Sequence, residues 1–109
     1  MNGLWTAEFG SSNGGFGGGV VVFEEGGRLF GGDGTYFYIG QYSLTGTTFR
    51  ATLISSPFID GAESVFKTVG RDLTLELVGT VTEGNKAVAQ GHLKDAPAAR
   101  FAVKLTKRS

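Results

Sequence analysis

The chain has no cysteine and only two prolines in 109 residues. Without thiols there is no disulfide framework and no thiolate metal site, and nothing points to an oxidising compartment, so a cytoplasmic location is expected. Excess charge is missing too. Ten basic and ten acidic residues cancel, which removes the electrostatic footprint of a protein that holds nucleic acid or an anionic membrane. Protein or small-molecule partners are expected instead, with no nucleic acid and no membrane among them. No stretch approaches the apolar length that spans a bilayer, and Met1-Asn2-Gly3-Leu4-Trp5-Thr6 has neither the basic region nor the apolar core of a signal peptide. No window of helical length repeats apolar residues at three- and four-residue spacings between caps. The length suits a single core, and residues 1–109 are read as one domain.

What the chain has in abundance is glycine, 19 residues, many in doublets between apolar stretches. They neither recur every third residue nor sit in a polar linker, so they read as turns and as bends in strands. Alternation with period two recurs almost throughout and predicts about eight strands joined as consecutive hairpins, the number at which side chains can fill a small closed barrel. The fold class is therefore all-β, a single small antiparallel barrel. The first strand runs from Leu4 to Phe9 with Trp5 and Phe9 inward, and the second from Phe16 to Glu24. A third, short strand surrounds Arg28, Leu29 and Phe30, and Gly31 to Gly34 is read as a turn. In the strand from Tyr36 to Leu44, Tyr36, Tyr38 and Tyr42 share one face while Phe37 and Ile39 occupy the other. A barrel wall has one inward face, so Phe37 and Ile39 are the candidate dimer interface. Phe49, Ala51 and Leu53 alternate next. From Ser55 to Gly70 the pattern fails, and an edge strand or one helical turn over a barrel mouth is expected there. Leu73, Leu75 and Leu77, then Lys86 to Leu93, then Phe101, Val103 and Leu105 complete the wall, with Thr106 to Ser109 left as a free basic tail. The predicted interior is Trp5, Phe9, Phe49, Leu53, Leu75, Phe101 and Val103, filled in preference to hollow.

Catalytic chemistry finds little support. Gly14 to Gly19 lacks the lysine and the helix of a phosphate loop, being followed by Val20, Val21 and Val22. The single histidine, His92, has no cysteine to share a metal with and lies on the face of Gln90. The serines lack the Gly-x-Ser-x-Gly setting of a strained nucleophile, and the aspartates sit in turns that explain them. The aromatic run from Tyr36 to Tyr42 has no basic residue interleaved, unlike a nucleic-acid stacking platform. No enzyme activity, metal or cofactor is therefore expected.

Gly3-Leu4-Trp5 at the head of the first strand resembles the start of lipocalins and related calycin barrels, whose tryptophan closes the barrel floor. The resemblance implies an arginine over it, here Arg100 or Arg108. A second, longer likeness runs through Gly31-Gly32-Asp33-Gly34-Thr35-Tyr36-Phe37-Tyr38-Ile39-Gly40-Gln41-Tyr42 and on through Ser64-Val65-Phe66. With the preceding Gly-Leu-Trp and the valine strand, it resembles the small bacterial family named for GrlR, a negative regulator of type III secretion. Its motif residues here are Gly31, Gly32, Asp33, Tyr36, Tyr38, Gly40 and Tyr42. The resemblance implies a lipocalin-like barrel that forms homodimers and regulates by sequestering a protein partner such as a transcriptional activator. That regulator carries an acidic cluster in the hairpin after the aromatic strand, where this chain has Leu44-Thr45-Gly46-Thr47, so a different partner is expected. The alternative expectation is a carrier or sensor of a small apolar ligand inside the barrel.

Overall fold

A computed structural model describes residues 1–109. Eight strands follow one another: β1 (Gly3–Ser11), β2 (Phe16–Phe23), β3 (Arg28–Gly32), β4 (Tyr36–Thr45), β5 (Thr48–Pro57), β6 (Leu73–Glu83), β7 (Lys86–Leu93) and β8 (Ala96–Lys107). Each pairs antiparallel with the next, and β8 returns to β1 to close the barrel. No helix is long and apolar enough to cross a membrane.

Alternation decides which side chains go in. Trp5 and Ala7 on β1, Val21 and Phe23 on β2, Phe49 and Ala51 on β5, and Val103 and Leu105 on β8 are all buried. At one end, the floor, Trp5 is wholly buried and its indole N–H donates to the Met1 carbonyl at 2.8 Å. Its ring meets Phe23 edge-on, and Phe23 in turn meets Phe49 and Tyr42 edge-on. Edge-to-face contacts of this kind add to the area that the aromatics bury. No arginine closes the floor. Arg108 instead donates from Nε to the Thr6 hydroxyl at 3.0 Å on the outer surface, and the Arg100 amide donates to Ser12 beyond the far end of β1. Met1 covers that end of the barrel instead, its carbonyl accepting from the indole and its side chain packing against the core.

Other expectations change at the strand ends. Gly31 and Gly32 are the last residues of β3, not part of a turn. A Cβ at Gly31 would collide with the Val20 carbonyl, and one at Gly40 would collide with the Thr52 carbonyl. Both glycines are therefore places where neighbouring backbones approach too closely for a side chain. β5 runs on through Ser55 to Pro57, and the connection after it forms neither helix nor edge strand, only an isolated bridge between Glu63 and Val69. The last strand starts at Ala96 and reaches Lys107, so Thr106 to Ser109 is no free tail. The Lys107 amide donates to Asn85, the Arg108 amide to Leu4, and the Leu4 amide to Ser109.

Candidate functional site: the barrel mouth and the cavity beneath it

The interior tapers by composition. From mouth to floor the inward positions of β2 are Gly17, Gly19, Val21 and Phe23. Side-chain volume therefore fills the floor and leaves the upper half open. A cavity of about 380 Å³ lies there, lined mostly by apolar side chains, and this replaces the filled interior expected from the sequence. All seven predicted interior residues do point inward. Trp5, Phe49, Phe101 and Val103 are buried, while Phe9, Leu53 and Leu75 are half-buried because they face the cavity.

Polar groups gather at the mouth through the local chemistry of one turn. Asp33 accepts from the Thr35 and Tyr36 amides at 2.9 and 2.8 Å and from the Thr35 hydroxyl at 3.3 Å, which fixes the β3–β4 turn. Its second carboxylate oxygen accepts from the Tyr38 hydroxyl. Burial, then the hydrogen bond to Asp33 and its negative charge, push the Tyr38 phenol far above its ordinary value. Tyr36, one inward position closer to the mouth, donates to the Ala62 carbonyl at 3.2 Å. Its phenol is raised too, by burial first and then by Asp33 and Glu63.

The connection between β5 and β6 roofs the mouth. The Ser11 hydroxyl donates to the Val65 carbonyl, and Phe66 is buried against Phe101, with ring centroids 5.8 Å apart and nearly perpendicular. The wall has a gap beneath this roof. β2 and β3 pair only from Val20 and Gly32 onward; Gly19 still lies close against Gly32 and Asp33, and Phe16 to Gly18 stand beyond the end of β3. Phe16, Gly17 and Gly18 line the cavity opposite Asp33 and Thr35.

The motif read from the sequence thus divides. Asp33, Tyr36 and Tyr38 converge at the mouth. Tyr42 points inward near the floor, where it donates to the Glu24 carbonyl at 2.7 Å, and burial, then Glu25, raises its phenol. Gly31, Gly32 and Gly40 serve strand packing. The reading missed Ser55, a buried hydroxyl on the cavity wall and the cross-strand partner of Tyr38. Continuing the alternation of Phe49, Ala51 and Leu53 by one step would have found it.

Outside, Phe37 and Ile39 are 41% and 51% exposed. The register sets Ile39 in a row that crosses five strands: Leu4, Val22, Phe30, Ile39 and Ile54 are successive cross-strand partners. Phe37 sits one outward position closer to the mouth. Across β6 to β8 a different row holds Glu76, His92 and Arg100. His92 Nε2 lies 3.3 Å from Glu76, half exposed and away from the cavity. No group of three or more histidine, aspartate or glutamate side chains is placed to hold a metal ion. No family model matches the chain, and no curated protein matches it.

Proposed function

We propose that this chain is a non-catalytic binding module of the cytoplasm, a homodimer that regulates by holding a protein partner, in the manner that its resemblance to the GrlR family implies. The observation that carries this reading is the outward row from Leu4 to Ile54 together with Phe37. A run of adjacent apolar side chains on an outer wall has an unfavourable free energy in water unless another surface covers it. A second copy is the first occupant to test, because a two-fold contact needs only one self-complementary patch. Sedimentation velocity over a wide concentration range should find a dimer in the native chain. The Phe37→Asp, Ile39→Asp double variant should be monomeric with its β circular dichroism intact. A native chain that is monomeric throughout, or a double variant that stays dimeric, rules out this face.

The cavity supports a second reading, a carrier or sensor of a small apolar ligand. At about 380 Å³ it falls near the lower end of the range, about 300 to 1,000 Å³, occupied by small-molecule sites. Filling it through Leu53→Phe with Leu75→Phe should abolish the fluorescence gain of a neutral naphthyl dye. A gain that persists in the filled variant places the dye elsewhere.

A further inference from the structure

Two features of the cavity limit what it can hold. The first is volume. A cavity of about 150 Å³ accommodates one benzene, so about 380 Å³ suits a body of roughly two fused rings or an alkyl group of similar bulk. A long unbranched acyl chain would have to thread out through the mouth. The second is charge. The ionisable carboxylates on the lining are Asp33 and Glu63, and no lysine, arginine or histidine lines it. The four groups that donate to Asp33 are two amides and two hydroxyls, none of them cationic. Glu63 has Lys67 at 3.8 Å, but both are more than half exposed, and a pair so hydrated neutralises little. Lys67 does not itself reach the lining.

The uncharged polar groups agree with this. The Tyr38 proton is committed to Asp33, which leaves the phenol oxygen to accept. Ser55, its cross-strand partner, adds a hydroxyl to the same wall. The wall therefore offers a phenol acceptor, a hydroxyl that can accept or donate, and negative charge at the mouth above apolar rings and alkyl groups. A ligand carboxylate there would face Asp33 in a partly desolvated site, where repulsion is strongest, and Glu63 at its solvent-exposed edge. An ammonium would face complementary ones.

We propose that the cavity takes an amphipathic amine, its apolar body of about two rings inside the barrel and its ammonium at the mouth between Asp33, Glu63 and the Tyr38 oxygen. This rests on reading the interior as a ligand site. The ligand enters through the gap between Phe16–Gly18 and the Asp33–Thr35 turn, beneath the Glu63–Phe66 roof.

Three probes of one shape separate charge from shape: 1-naphthylmethylamine, 1-naphthylmethanol and 1-naphthoic acid, titrated calorimetrically into the full chain at neutral pH. The amine should bind tighter than the acid by a factor of about 10 or more, with the alcohol between them. Asp33→Asn keeps an oxygen for the turn amides, and Glu63→Gln leaves the turn untouched. Each should weaken the amine several-fold and leave the alcohol unchanged, and Glu63→Gln carries the test if Asp33→Asn does not fold. Equal affinity for amine and acid, or an amine indifferent to both variants, overturns the charge assignment while the ligand reading stands. If none of the three binds, both fall.

Discussion

Asp33 and Tyr38 show how a single short hydrogen-bonded turn sets a property of the whole site. The carboxylate accepts from two amides and two hydroxyls, and the phenol beside it is buried and raised far above 10.0. In the unfolded chain that phenol loses its proton near pH 10, whereas in the barrel it keeps it. Above about pH 10 the folded state therefore holds more protons than the unfolded state, and stability falls as pH rises, by up to about 1.4 kcal/mol per pH unit for this one group. Below that pH the contribution is constant. Denaturant titrations of the native chain and of Tyr38→Phe, compared between about pH 8 and about pH 11, should show the alkaline slope reduced in the variant. Parallel slopes would mean that the phenol is not insulated in this way. Alternation put Tyr36 and Tyr38 on one face, whereas Asp33 read as a turn residue and joined them only through the family resemblance. That the aspartate bonds the second tyrosine depends on where the closed wall puts the turn, and spacing along the chain does not carry that information.

At the scale of elements, the strands were legible and the connection from β5 to β6 was not. Each hairpin repeats the same local signals, alternation and then glycine or a polar turn, so its position follows from residues close in sequence. The long connection has no period because tertiary contacts hold it. Ser64 accepts from the Phe66 and Thr68 amides at 3.1 and 3.3 Å, Lys67 takes a positive φ of 65°, and Phe66 is buried between this turn and Phe101. Only the closed barrel brings Phe101, on the last strand, beneath Phe66. Phe66→Ala should cost about 3 to 5 kcal/mol and raise amide hydrogen exchange between Phe58 and Asp72, with the floor hairpins unaffected. A loss spread evenly over the barrel would mean that the roof is not a separate cooperative unit. The same closure explains the cavity. Alternation tells which residues face in, but whether they meet across the lumen depends on summing volumes around all eight strands.

Closure is the property of the whole molecule on which the cavity and the outer apolar row both depend, and residues 106–109 help to make it. The ladder between β1 and β8 runs from Ser11 and Phe101 at the mouth to Trp5 and Lys107 at the floor. Beyond it, the Arg108 amide donates to the Leu4 carbonyl at 2.7 Å and the Leu4 amide to the Ser109 carbonyl at 3.1 Å. Basic residues among polar ones look solvated when read locally, which is why Thr106 to Ser109 resembles a tail. Its alternation is too short to count, and its partners on β1 lie about 100 residues away, as with Thr6 and Arg108. A chain ending at Leu105 would lose these hydrogen bonds, those from the Ser109 amide to Leu4, the Lys107 amide to Asn85 and Arg108 to Thr6, and the last ladder pairs of β8 with β1 and β7. At about 1 kcal/mol each, more than about 3 kcal/mol should disappear. The seam would also open beside Trp5, the only tryptophan, so tryptophan emission reports on this place alone. The truncated chain should therefore melt lower and emit further to the red, whereas the Phe37→Asp, Ile39→Asp variant, altered only on the outer wall, should keep the native emission. Unchanged melting and emission in the truncated chain would mean that the barrel closes without its last four residues.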